Sequence, residues 1–448
     1  MRLRRILIAN RGEIAVRIIR TCNELGIETV LAASEADLES VPARLADHTV
    51  CIGPPPSSRS YLNVESIVAA AVAAKADALH PGYGFLAENS QLARRCSEAG
   101  IIFIGPTANQ LDAMGDKLRA REHAIAAGLP VLPGGAVGSV TEALELAEHI
   151  GWPVLIKSVG GGGGRGLKPV RESRQLEATL HLAMAEAHAA FGDARVYLER
   201  LVESGRHVEV QIVGDGTEVI HLGDRDCSIQ RRYQKLIEEA PAPGLPQHLR
   251  DAMYAGAVNL GRHLSYRGLG TVEFLFDRKR QEFHFLEMNA RIQVEHPVTE
   301  AVTGLDLVAE QIAVAEGRDL SIAQREVALS GHALECRITA EDWTRDFQPG
   351  PGTVSSAVFP AGEGIRVDTH IEAGSSVPPY YDSLLAKIIV SGRDRVQCLE
   401  RMKLALANCR IEGVTNIVAL HALLLDDPEL IAGTFDTSLL DRWLARRS

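Results

Sequence analysis

The sequence predicts an α/β protein of about three domains. Two observations carry that expectation. Residues 1–113 alternate short apolar, strand-like segments with helical ones, the pattern of a parallel sheet flanked by helices. The chain has 448 residues, 46% of them hydrophobic and 23% charged, which is ordinary for a globular protein.

Within the first region, residues 5–9 and 29–33 read as strands and 13–25 as the helix between them. Residues 64–74 and 88–99 read as further helices, and 101–104 as a strand closed by Gly105 and Pro106. A second region spans residues 114–330. Inside it, residues 130–203 form a small inserted unit, with a helix over 141–150 stopped by Gly151 and a short strand over 154–156. Residues 208–213, 270–276 and 283–289 are expected in a larger sheet. The third region, 331–448, is strand-rich first and helical last.

Composition excludes several functions. The net charge of −11 argues against general nucleic-acid binding but allows a local basic pocket. The longest apolar run, residues 67–74, is too short to span a bilayer, and the basic start lacks the long apolar core of a secretory signal. A cytoplasmic protein is expected. The seven cysteines contain no Cys-x-x-Cys pair, so neither a zinc cluster nor a disulfide framework is expected, and most read as buried small apolar residues.

Residues 287–297 (EMNARIQVEHP) are the most informative stretch. They follow an apolar strand, so Glu287 and Asn289 share a face; if the chain stays extended, Arg291, Gln293 and Glu295 continue the row. A carboxylate and an amide oxygen suit a hard cation such as Mg²⁺. An arginine and a second carboxylate suit an anionic substrate and a proton acceptor. A polar strand edge facing water is the plainer alternative, disfavoured because the strand is otherwise apolar. A second signal is the run of five glycines at 160–164, flanked by Lys157 and Arg165. Backbone N–H groups of such a loop can converge on phosphate oxygens. It is not a P-loop, because no Gly-Lys-Ser/Thr follows. Lys157 and Lys117 come from separate segments and suit phosphates as point charges.

Together these segments resemble the biotin carboxylase family of the ATP-grasp superfamily. The resemblance runs nearly end to end. It is carried by residues 8–14 (IANRGEI), 80–85 (HPGYGF), 114–117 (MGDK), 157–166, 225–232 (RDCSIQRR), 238–243 (EEAPAP), 287–297, 335–337 (ECR) and 379–383 (PYYDS). It implies an ATP-grasp architecture with an N-terminal Rossmann-like domain (1–113), an ATP-grasp domain (114–330) carrying a mobile lid (about 130–203) and a C-terminal mixed α+β domain (331–448). Lys117, Lys157, Gly163, Gly164, Glu199, Arg200, Leu201, Val202 and His207 would hold ATP, with residues 199–202 meeting the adenine edge. Glu273, Glu287 and Asn289 would bind Mg²⁺ or Mn²⁺, two ions being expected. Lys235, Arg291, Gln293 and Val294 would hold bicarbonate, Glu295 would take its proton, and Arg337 would stabilise the biotin enolate with Tyr83 nearby.

The residue types suit the chemistry. Bicarbonate is a weak nucleophile towards a triphosphate that repels it, so cations must hold it in line and a carboxylate must remove its proton. A permanently charged arginine suits an anionic enolate. By residue type alone, Arg337 reads as a structural ion-pair partner and His207 as a satisfied hydrogen-bonding group; the resemblance raises both. There are departures: Tyr233, Gly223 with Asp224, and Ala290 replace residues commoner in relatives, leaving nucleotide affinity open. The only Met-Lys pair, Met402 and Lys403, lies in an apparent helix and lacks the second methionine of a biotin-attachment site. The expectation is a stand-alone subunit that carboxylates biotin on a separate carrier protein and works with carboxyltransferase subunits, possibly as a homodimer. Another ATP-grasp ligase and a non-catalytic nucleotide sensor are the alternatives.

Overall fold

The computed structural model describes residues 2–160 and 166–447. The chain opens with five parallel strands: β1 (Arg5–Ile8), β2 (Glu28–Ala33), β3 (His48–Cys51), β4 (Ala78–His80) and β5 (Ile102–Phe103), in the order β3-β2-β1-β4-β5. Both faces are covered, which is why these strands read as unbroken apolar runs. Ile6 and Ile8 bury on one side with Ile14, Ile18 and Leu31; Leu7 and Ala9 bury on the other with Val30, Ile67 and Leu79. The expected helix over 88–99 is shorter, Ser90–Glu98, because Asn89 accepts a hydrogen bond from the Leu92 N–H and so caps it.

A second layer is a four-stranded antiparallel sheet of β6 (Gly134–Val137), β7 (Val154–Ser158), β8 (Leu167–Val170) and β9 (Val196–Arg200), in the order β6-β9-β7-β8. Helices Val140–Ile150 and Leu176–Phe191 pack on it around a core of its own that includes Ala143, Ala147, Ile156, Leu180 and Leu198.

The largest sheet has eight antiparallel strands: β10 (Gly205–Asp215), β11 (Val219–Arg231), β12 (Gln234–Ala240), β13 (Arg267–Asp277), β14 (Glu282–Asn289), β15 (His332–Thr339), β16 (Ile365–Thr369) and β17 (Leu384–Gly392). Their order is β14-β13-β10-β11-β12-β15-β17-β16. Strands on either side of residue 331 therefore share one hydrogen-bonded sheet, joined where β12 pairs with β15. One face is apolar at every second residue. Val208, Val210, Ile212, Val272, Phe274 and Phe276 pack against Met253, Ala257 and Leu260 of helix Gln247–His263. Farther along, Leu334, Cys336, Ile338 and Ile388 pack against Met402 and Leu406 of helix Arg395–Ala407. The alternate residues, His207, Glu209, Gln211, Thr271, Glu273, Glu335 and Arg337, are polar, and this row is largely buried as well.

Six of the seven cysteines are buried, Cys51 being exposed, and all are free. Among the described residues no helix is long and apolar enough to cross a membrane. Phe274 is fully buried and packs edge-to-face on Phe283. Phe274→Ala is expected to cost about 3–5 kcal/mol of stability, read as a lowered midpoint in denaturant unfolding.

Candidate active site

The site is assembled on the polar face of the large sheet. Strand register places Glu209 beside Glu273 and Glu273 beside Glu287, so three carboxylates run in a row across β10, β13 and β14. A register irregularity between Glu273 and Phe274 leaves Leu286 without a partner, which brings Glu287 opposite Glu273 and Asn289 opposite Thr271.

Lys235, near the start of β12, answers this acidic row. Its ammonium donates to Glu209 Oε2 at 2.6 Å, Glu295 Oε1 at 2.6 Å and Glu273 Oε1 at 3.0 Å. Arg337 on β15 donates to Glu295 Oε2 at 2.8 Å and lies 2.5 Å from Glu238 Oε1. Beneath them Arg225, fully buried, bonds Glu209 at 2.6 Å, Gln211 and Thr299 at 2.8 Å and Thr271 at 3.2 Å. Burial alone would raise the carboxyl of Glu295, but Lys235, Arg337 and Arg225 override it and hold it well below the usual carboxylate range. Glu273 is held low in the same way, against burial, by Lys235 and by His207, whose Nε2 lies 2.9 Å away. Burial would lower the His207 imidazole, yet Glu273 raises it.

The expected extended row beyond Asn289 does not form. β14 ends at Asn289, and residues 290–295 leave the strand to enter helix His296–Thr303. The side chains converge nonetheless. Arg291 donates to Glu88 at 2.9 Å, Gln293 Oε1 at 3.0 Å and Asn289 Oδ1 at 3.1 Å, and Gln293 donates to Asn289. The Val294 carbonyl accepts from Lys387 Nζ at 2.8 Å. Glu88, freed from its expected helix, also accepts from the Ala290 N–H at 2.9 Å.

Two groups approach from outside the large sheet. On the small sheet Lys157 pairs with Glu199. Lys117 is the first residue of helix Lys117–Ala126, where Asp116 caps the Leu118 and Arg119 N–H groups. Burial lowers the Lys117 ammonium, partly offset by Glu287, and Lys157 lowers it further. Conversely desolvation and Glu273 raise the half-buried Glu287, which accepts no hydrogen bond among the described residues. The Arg200 side chain is committed to Glu282 at 2.8 Å, and the Leu201 N–H donates to the Pro153 carbonyl at 3.0 Å. Residues 199–202 thus leave the small sheet where it meets β14.

From the first domain, Tyr83 donates to Glu13, which Lys387 meets at 3.0 Å. Its loop is tight: Asn10 Nδ2 donates to the carbonyls of Pro81 and Tyr83 at 2.7 Å, and a Cβ at Gly82 (φ +61°) would meet that nitrogen at 2.9 Å. Only glycine fits there.

The structure therefore gathers Lys235, Glu273, Glu287, Asn289, Arg291, Gln293, Glu295, Arg337 and His207 on one surface. Lys117 and Lys157 face them, Tyr83 lies at the Arg337 end, and Val294 enters through its backbone. Gly163 and Gly164 lie outside the described residues. Among the substituted positions, Tyr233 sits with Arg232 in a positive-φ turn and is half exposed. Asp224 is absorbed structurally, accepting from Arg250, Tyr254 and the Ala242 N–H. Sequence reasoning missed Glu209, Glu88 and Lys387, and took Glu13, Arg225 and Glu238 only as motif positions. The signal for Glu209 was the polar alternation of β10, which marks a second face without saying what covers it.

Three family models match the chain in succession. "Biotin carboxylase, N-terminal domain" matches residues 2–111, "Carbamoyl-phosphate synthase L chain, ATP binding domain" residues 116–323, and "Biotin carboxylase C-terminal domain" residues 335–442. The chain is 50% identical over 443 residues to a biotin carboxylase of Nostoc sp., covering 98% of this chain and 99% of that one. It is 48% identical over 444 residues to biotin carboxylase 1 of Bacillus subtilis, covering 98% and 99%. The biotin carboxylase domain dimer of Hydrogenobacter thermophilus 2-oxoglutarate carboxylase, solved with MgADP, ADP and bicarbonate, superposes with a TM-score of 0.95 at 43% identity over 99% of this chain and 98% of that one. Biotin carboxylase of Campylobacter jejuni in a β-γ-ATP complex gives 0.95 at 44% identity, covering 98% and 99%.

Removing the central cation tests the electrostatic account. Glu273 and Glu295 titrate below their unfolded value of 4.5, so their contribution to stability is complete above that value and is lost as pH falls through the folded values. Lys235→Met removes the largest charge that holds both down and leaves burial opposed only by Arg337 and Arg225 at Glu295 and by His207 at Glu273, so both should rise and the variant should lose more stability at pH about 8 than at pH about 5. A loss of about 3–5 kcal/mol at the upper pH, largely relieved at the lower, is expected from denaturant unfolding.

Proposed function

The chain belongs to the biotin carboxylase family, and from that membership we propose how its own residues carry the reaction. It is an ATP-dependent ligase: ATP activates bicarbonate, and the carboxyl group passes to a ureido nitrogen of biotin. The observation that carries the residue assignment is the convergence of Lys235, Arg291 and Arg337 around Glu295, beside the carboxylate pair Glu273 and Glu287.

The donor set fits a hard cation. Glu273 and Glu287 oppose each other across two strands, and each raises the other's cost of ionisation unless a positive charge enters. These two carboxylates would hold Mg²⁺ or Mn²⁺; Asn289 would join through its Oδ1, whose lone pairs Arg291 and Gln293 share. Bound there, the ion neutralises charge on the phosphate oxygens. Lys117, Lys157 and the glycine loop with Gly163 and Gly164 would take the phosphates. Residues 199–202 would meet the adenine, with His207 between nucleotide and carboxylates.

Bicarbonate would sit against Lys235, Arg291, Gln293 and Val294. Glu295 is a poor base while Lys235 and Arg337 hold it low. An anion that draws the Lys235 ammonium and Arg337 towards itself would restore basicity to Glu295 Oε1, which would then accept the bicarbonate proton. The deprotonated oxygen attacks the γ-phosphate and ADP leaves; the carboxyphosphate so formed would break down to CO₂ and phosphate, the phosphate would take the ureido proton of biotin, and the ureido nitrogen would attack CO₂. Arg337, charged at any working pH, would stabilise the anionic ureido group of biotin, with Tyr83 on its far side. The small sheet and its glycine loop would act as the lid that keeps water out.

The division of labour would follow the expected domains. Residues 1–113 position Tyr83, residues 114–330 the nucleotide, metal and bicarbonate groups, and residues 331–448 Arg337. Lys403 lies on helix Arg395–Ala407, paired with Asp426 at 2.5 Å, which suits a helix surface and not a biotin-bearing turn. By analogy with the family, biotin would arrive on a carrier protein and leave to carboxyltransferase subunits, in the cytoplasm. A homodimer is the expected assembly, as in the Hydrogenobacter domain.

ADP release should depend on bicarbonate and rise with free biotin. Arg337→Ala should lower biotin carboxylation by about 10²–10³-fold while keeping some ATP cleavage. Normal carboxylation by that variant would remove Arg337 from the reaction. Glu287→Gln should weaken activation by Mg²⁺, seen as a rightward shift of about tenfold in the metal titration of turnover.

A further inference from the structure

Behind Arg337 lie two carboxyl groups that the reaction above does not use. Glu238 on β12 and Glu335 on β15 are cross-strand partners, and both are 0% exposed. Opposite residues of an antiparallel pair hold their Cβ atoms about 4.5–5.5 Å apart. None of the four carboxylate oxygens has a well-formed hydrogen bond among the described residues. Arg337 Nη2 touches Glu238 Oε1, but that guanidinium is shared with Glu295.

The surrounding charges do not supply a second counter-ion. Facing the pair are Arg337, Glu295, Lys235 and Lys387, with the thiols of Cys227 and Cys336 nearby. Lys235 is committed to Glu209, Glu273 and Glu295. Lys387 is committed to Glu13 and the Val294 carbonyl, with Asp368 at 4.0 Å. Two like charges at this spacing in a dry interior cannot both persist without their own cations.

We propose that Glu238 and Glu335 hold one proton between them and together position Arg337. The proton stays on one carboxyl of the two, so the pair carries a single negative charge. That charge steadies Arg337 from behind and leaves most of its positive charge for the anionic biotin. Loss of the last proton would place a second negative charge there and draw the guanidinium away from substrate. Burial raises the proton affinity of both carboxyls, against Arg337 at Glu238 and against Lys387 at Glu335. The inference rests on the reading of Arg337 given above.

The test joins infrared spectroscopy to kinetics on the full chain. Near neutral pH the wild-type protein should show a protonated-carboxyl C=O band that shifts when glutamate is ¹³C-labelled. The band should vanish in Glu238→Gln and in Glu335→Gln, because each leaves a lone carboxylate. If the pair titrates, wild-type kcat for biotin carboxylation falls on the alkaline side. Neither variant can take the second charge, so both should lose that alkaline limb. Glu238→Gln should lower kcat about tenfold with KM for ATP unmoved, since the remaining charge then sits on Glu335. A wild type without the band, a band persisting in both variants, or the same alkaline limb in all three proteins would overturn the proposal. If neither variant folds, Glu238→Asp and Glu335→Asp take their place: each should keep the band but move it from its wild-type position, and a band that moves in neither would overturn the proposal. A wild type that has the band but carboxylates no biotin would sink the reading of Arg337 and leave the proton pair standing.

Discussion

One ammonium group organises this site. Lys235 reaches three carboxylates from three different segments: Glu209 on β10, Glu273 on β13 and Glu295 at the entry to a helix. Without it, a row of acidic side chains would lie on a largely dry sheet face with Arg225 beneath Glu209, Arg337 on one oxygen of Glu295 and His207 on Glu273, and no cation joining them. With it, the row becomes a poised network in which Glu273 and Glu295 are held ionised yet replaceable as the partners of a cation. The arrangement favours exchange. An incoming anion competes for the cation, and whatever it displaces becomes a stronger base.

The same logic links distant parts of the chain. Glu287 meets the lysines at positions 117 and 157 as charges at a distance and not as bonded partners. Glu13 of the first domain ties Tyr83 to Lys387, and Lys387 in turn fixes the backbone of Val294. Ionic contacts between the N-terminal parallel-sheet region and the large sheet therefore lie beside the candidate site. Rearranging one of them changes the field at the reacting atoms.

Much of this was legible in the sequence, though by two routes. The parallel sheet followed from strand and helix alternation, because strands covered on both faces leave an unambiguous apolar run. The side chains of residues 287–297 were legible as chemistry. Their geometry was not: the row was expected to continue as an extended strand, whereas the chain turns after Asn289 and meets itself through Arg291 and Gln293. Glu209 was missed because polar alternation on β10 looks the same whether the second face meets water or other buried charges. Glu238 and Glu335 were visible only as letters in motifs, since their relation depends on the register between strands about a hundred residues apart.

The large sheet runs without interruption across residue 331, β12 pairing directly with β15. This has a bearing on how the chain can be cut. Sequence-defined boundaries invite excision of the last quarter as a module, yet doing so would strip β12 of its neighbour and bare the unpaired amide and carbonyl groups of residues 237–240. Such raw borders recruit strands from other molecules. The fragment would tend towards precipitation instead of behaving as a smaller enzyme, and the final quarter is better regarded as part of the scaffold than as an appendage.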